Sequence, residues 1–344
     1  MRRWSRTVLS SVFVLFMLAS GHLLMVAINA LELRVARPGL EEGLEARFFS
    51  DSPLAHELES AIGRTRRPDH RAALEHTLSR VKGGESVTLR AMPVTRFLVM
   101  AALGLVALGL ALVWLTSRLQ SDAAQTIVGV FAGNLLWTGG VEYGLTIAAR
   151  GLGVGKTVGV VNGQVMAVFG EYTLLKHSWG ALALVMAYLL FLESSRCPLF
   201  LFFRERAPLM RNGLVSGRID NYGPRTAFQY ATTVWGFYLL LLWAYDERLF
   251  GVRGAFTTSV LALSIAGAVY TSWRLHQHTG WGPAIRYAIG AMVVAWTPLE
   301  VLGKWGAFRE PWLLLEPATV LLFFGGLALG TWALWRAQRR PAPA

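Results

Sequence analysis

Apolar and polar positions alternate along this chain in long blocks rather than at short helical or strand periods. After the polar start Met1-Arg2-Arg3, an apolar run extends from Thr7 to Ala30. Further runs follow at 97–116, 126–148, 177–195, 226–245, 255–273, 284–303 and 312–335. Each is close to the ~20 residues that span ~30 Å of hydrocarbon. The pattern predicts an all-α, polytopic integral membrane protein with about eight transmembrane helices. The first run exceeds the ~7–15 residues of a secretory signal core, so it is expected to be an uncleaved helix.

One stretch does not divide cleanly. Residues 157–195 as a single helix would be about 58 Å long at 1.5 Å per residue, too long for one span. A break is expected at Lys176-His177-Ser178-Trp179-Gly180. That leaves 157–175 as a re-entrant or interfacial helix.

The chain therefore divides into a first transmembrane helix (1–30), a small helical extracytoplasmic cap (31–94), helices two to four with the re-entrant segment (95–195), an Arg-rich cytoplasmic loop (196–225) and helices five to eight with a basic tail (226–344). Within the cap, Ser52-Pro53 supplies an N-cap and a first helical residue. Pro68-Asp69 opens a second helix, with Leu74, Leu78 and Val81 on one face and Gly83-Gly84 as its stop.

Composition agrees with this class. The chain is 54% hydrophobic and 16% charged, well below the ~25% charged of soluble domains. Its net charge of +12 raises the question of nucleic acid. The basic residues are instead placed as the positive-inside rule asks. With the N-terminus inside, 15 lie in short inner segments and 7 in outer turns. A ninth span would put the 196–225 loop and the basic tail outside. Both termini are thus expected in the cytoplasm, in the inner membrane of a bacterium, with membrane lipids as partners and no nucleic acid. Cys197 is the only cysteine, so no internal disulfide or Cys-based metal site can form.

Two motif-like strings carry no chemistry. Gly151-Leu-Gly-Val-Gly155-Lys156-Thr157 lacks the first glycine of a phosphate loop, because position 150 is Arg. His276-Gln277-His278 at the end of the sixth span places its imidazoles about 200° apart on a helix, so one metal cannot use both there.

The candidate chemistry lies in polar side chains inside apolar spans, where each charge is costly and usually marks function. His22 and Asn29 share a face of the first span. Asn134, Thr138 and Glu142 repeat every four residues on the third, with Tyr143 adjoining. Glu171 lies in the doubtful 157–175 segment, seven residues after Gln164, with His177 just beyond; Asp246 closes the fifth span, and Glu300 follows Pro298 in the seventh. In the eight-span topology these groups map to the outer half of the membrane. They are expected to form one pocket under the cap, with Glu142, His177, Glu171 and Glu300 as acid–base candidates and Asn134, Thr138, Tyr143, His22, Asn29 and Asp246 as binding candidates. Carboxylates and neutral imidazole could also hold a divalent metal.

In the inner loop, Arg211, Arg218 and Arg225 present guanidinium forks for headgroups, phosphate or a partner protein. Three functions fit this pattern: a membrane-embedded enzyme on a lipid-like substrate, a proton-coupled transporter or permease, and a non-catalytic assembly or sensing subunit docking through the cap or the 196–225 loop. A bis-histidine haem protein using His22 and His177 is a remote fourth. The residues identify no cofactor.

Overall fold

A computed structural model describes residues 2–35, 45–47, 53–65, 68–90, 93–154, 156–161, 164–169, 171–191, 221–246 and 249–338. Among these the chain is all-α, with four short strands. The long helices are α1 (Arg2–Val35), α4 (Arg96–Thr116), α5 (Asp122–Leu136), α9 (Tyr222–Ala244), α10 (Ala255–His276) and α11 (Trp281–Trp305). Shorter ones are α2 (Pro53–Arg64), α3 (Pro68–Lys82), α6 (Tyr143–Leu152), α7 (Glu171–His177) and α8 (Trp179–Phe191). The last helical stretch comprises α12 (Pro317–Val320), a π-helical turn (Leu321–Gly325) and α13 (Gly326–Gln338). A second π-helical turn, Trp137–Glu142, joins α5 to α6.

Among the described residues, five helical stretches are long and apolar enough to cross a membrane: Arg3–Val35, Arg96–Thr116, Ala255–His276, Trp281–Trp305 and Pro317–Gln338. Their apolar surface is turned outward where it meets no neighbour. On α4, Met100, Leu103, Leu110 and Trp114 are exposed, and on α10 so are Leu263, Val269, Tyr270 and Trp273. Contiguous exposed apolar faces of this length suit hydrocarbon rather than water.

The described chain forms two compact units. The first contains residues 1–27, 104–139 and 176–344. Its core gathers Phe13, Met17 and Leu23 of α1 with Ile127 and Val130 of α5, Tyr230 of α9, and Ile285, Ile289 and Met292 of α11. Packing of α5 on α9 depends on Gly129 and Gly133. A Cβ on either would come within 2.6 Å of a carbonyl oxygen of α9, Gly223 and Ala227 respectively. Small residues four apart are how membrane helices let backbones approach.

Helix direction alternates in this unit. The N-terminal ends of α5, α9 and α11 lie together: Arg286 pairs with Asp122 and stacks its guanidinium 4.1 Å from the Tyr222 ring, and Gln125 accepts from the Tyr222 amide at 2.8 Å. Against them stand the last turns of other helices. Thr116, ending α4, abuts Gly223, and Thr7 of α1 meets His276, ending α10, at 3.3 Å. Lys176, just before α8, pairs with Asp246, just beyond α9.

The second unit contains residues 28–103 and 140–175. The two helices expected between 31 and 94 are present as α2 and α3. Strands β1 (Glu45–Arg47) and β2 (Thr88–Arg90) pair antiparallel. The expected helix at 157–175 is absent: β3 (Lys156–Val161) and β4 (Gln164–Phe169) form an antiparallel pair, and only Glu171–His177 is helical. The physical reason lies in residue type. Thr157, Val158, Val160, Val161, Val165 and Val168 are β-branched and suit a pleated surface. The hairpin is also no membrane element, since it buries Val158 and Ala167 in one core with Leu54, Leu58, Leu74 and Leu89.

Candidate functional site

His22 sits two-thirds along α1 and Glu300 near the end of α11, and the first unit brings them into contact. His22 Nε2 lies 3.4 Å from Glu300 Oε1, with side chains 21% and 18% exposed. The same Oε1 accepts a hydrogen bond from Trp296 Nε1 at 2.6 Å, one turn earlier on α11. The indole of Trp296 stacks on the imidazole at 5.9 Å between centroids. Trp312 packs against Trp296 at 4.5 Å and closes the apolar side.

The other imidazole nitrogen decides the chemistry. His22 Nδ1 is 3.0 Å from the Leu18 carbonyl, which can only accept, so Nδ1 carries a proton. In the neutral ring Nε2 is then a bare lone pair facing a carboxylate oxygen. Nε2 is thus the nitrogen through which the ring meets Glu300. Pro298 lies within the same turn of α11 and leaves a carbonyl one turn back without its helical donor.

The remaining candidates divide between the units. In the first, Asn134 Oδ1 accepts from the Tyr230 hydroxyl at 3.1 Å, and Thr138 is fully buried in the π-helical turn. Asp246 is bound to Lys176, and His177 is exposed. In the second, Glu142 and Tyr143 are buried, Asn29 is exposed, and Glu171 begins α7. Arg225 lies in the first turn of α9, whereas Arg211, Arg218 and Cys197 fall outside the described residues. Among the described residues no group of three or more His, Cys, Asp or Glu side chains is placed to hold a metal ion.

Two ion pairs were not anticipated from the sequence. Arg286 binds Asp122 through both nitrogens and reaches Thr126 Oγ1 at 2.6 Å. The available signal was an Arg placed inside the second turn of an apolar helix. In the second unit, Glu32, 1% exposed, takes Arg150 at 2.7 Å and the Thr95 hydroxyl at 2.5 Å. Nothing in the sequence marks Glu32 as the partner of Arg150, since 118 residues separate them.

No protein-family model, curated protein or solved structure matches this chain.

Proposed function

We propose that this chain is a multi-pass protein of a bacterial cytoplasmic membrane, crossing it eight times with both termini inside, and that His22 and Glu300 form an acid–base couple acting on a lipid-like substrate in the outer half of the bilayer. The alternating helix directions of the first unit support the count. Under it α1, α5, α9 and α11 run outward, and α4, α8, α10 and the α12–α13 stretch return. The placement of arginines in the short inner segments supports the orientation.

One observation carries the chemical reading: His22 Nε2 lies 3.4 Å from Glu300 Oε1 while Nδ1 is engaged by the Leu18 carbonyl. With Nδ1 donating to the Leu18 carbonyl, an unprotonated Nε2 can take a proton from a hydroxyl or water, and the imidazolium so formed, stabilised by the Glu300 carboxylate, can return that proton to a leaving group, which is general acid–base catalysis. Both groups remain partly exposed. Trp296 holds the carboxylate in place, and Trp296 and Trp312, both buried, pack behind it. Glu142, on the second unit, is a separate candidate carboxylate.

The test is lipid mass spectrometry on the purified protein in liposomes of bacterial lipid extract, comparing wild type with Glu300→Gln. A new lipid species is expected with the wild type, formed about 10²–10⁴-fold more slowly by the variant. Unchanged lipids in both would remove the enzymatic reading.

A second reading is a proton-coupled transporter. It is favoured by the His22–Glu300 contact joining two separate helices, so that relative movement of α1 and α11 would break it. Flux driven by a pH gradient and lost in Glu300→Gln, with lipids unchanged, would select it. Docking of a partner protein through the 31–94 cap or the Arg-rich 196–225 loop is compatible with either.

A further inference from the structure

The end of the first unit opposite His22–Glu300 carries a second concentration of charge and aromatic rings. The start of α1 meets the end of α10 there. Thr7 Oγ1 is 3.3 Å from His276 Nδ1, and the Trp4 ring lies 4.6 Å from the His276 ring. In the turn between α10 and α11, His278 packs on Tyr287 at 4.8 Å. The charges that act on His278 are all cations: Arg274, Arg6 and Arg286. Burial first, and then these arginines, hold its imidazole below the usual range. Asp122 takes up Arg286, and among the described residues Arg6 and Arg274 have no carboxylate partner, with the exposed Arg3 adding a further cation near Arg6.

The surroundings say what kind of anion fits. Trp4 is 67% exposed and Trp273 is 59% exposed. Below Arg274 the exposed face of α10 is apolar through Trp273, Tyr270 and Val269. Indoles at such a border favour the membrane–water interface, with cations at headgroup level and hydrocarbon along the helix. A free phosphate would use the cations alone; a phospholipid uses both the cations and the apolar face.

We propose that Arg6 and Arg274 bind the phosphate of an anionic phospholipid headgroup, with Trp4 and Trp273 at the interface and the acyl chains along α10. The site is separate from His22–Glu300 and does not depend on the chemistry proposed there. It requires only that α1 and α10 cross a membrane.

Native mass spectrometry of the detergent-purified full chain tests this with three probes: phosphatidylglycerol, phosphatidylcholine and inorganic phosphate. The wild type should retain phosphatidylglycerol in preference to phosphatidylcholine. Arg6→Gln and Arg274→Gln should each weaken that retention about fivefold, from the attraction of one basic residue to an anionic headgroup. Lysine at both positions should restore most of it, which separates loss of charge from loss of fold. Arg309→Gln, beyond the far end of α11, should leave retention unchanged. Equal retention of the two lipids, or retention unaffected in the double glutamine variant, would overturn the proposal. So would millimolar inorganic phosphate displacing the lipid completely, since the apolar face would then add nothing.

Discussion

His22 Nε2 and Glu300 Oε1 are 3.4 Å apart while His22 Nδ1 is committed to the Leu18 carbonyl. The two side chains are in direct contact, so substitutions in them should not act independently. His22→Gln and Glu300→Gln measured singly and together in a thermal-unfolding cycle are expected to show a coupling of about 0.5–3 kcal/mol. Additive effects would mean that the two side chains do not interact.

A second prediction concerns Gly21, the neighbour of His22. A Cβ there would lie 2.6 Å from Asn134 Oδ1, which already accepts from Tyr230. Gly21→Ala should lower stability by about 1–3 kcal/mol through overpacking. Tyr230→Phe leaves the buried Asn134 oxygen without that donor and should cost about 1–3 kcal/mol. Melting in detergent reads both, and an unshifted midpoint in either would show the close approach to be absent.

The Glu32–Arg150 pair makes the second unit sensitive to removal of one partner. Glu32→Gln strands a guanidinium that is 13% exposed. Breaking a buried pair in this way costs about 3–5 kcal/mol, whereas replacing both residues costs less. Proteolytic protection of the α2–α3 region, followed by the cleavage rate, should fall sharply in Glu32→Gln and recover in part in the variant that also carries Arg150→Met. Equal protection in all three proteins would place the pair outside the unit's folding.

His278 supplies a pH dependence. Burial and then the nearby arginines lower its folded pKa beneath the unfolded value of 6.5. Above that value the ring is neutral in both states, and the folded chain has its full stability. As pH falls through 6.5 the unfolded chain takes up the proton first, so stability declines until the folded ring also protonates. The midpoint of thermal unfolding measured from pH 7.5 downward should drop more in wild type than in His278→Gln. Parallel curves would refute the assignment.

These relationships differ in how far the sequence reveals them. The helix starts at Pro53 and Pro68, the stop at Gly83-Gly84 and the break at His177-Ser178 depend on local backbone chemistry and are found where expected. The hairpin at 156–169 was also legible: Asn162-Gly163 between two β-branched runs is a hairpin signature. It was masked because an apolar run satisfies a hydropathy criterion whatever its secondary structure. The partners of His22, Asn134, Glu32 and Asp122 lie on distant parts of the chain, so only the packing of helices reveals them.

The outward position of His22 and Glu300 rests on the eight-span topology, and that topology has a built-in probe. Cys197 is the only cysteine and begins the Arg-rich segment expected in the cytoplasm. Intact cells or spheroplasts should leave Cys197 unlabelled by a membrane-impermeant maleimide, and disrupted membranes should label it fully. Full labelling from outside would reverse the orientation, put His22 and Glu300 on the cytoplasmic side, and contradict the account.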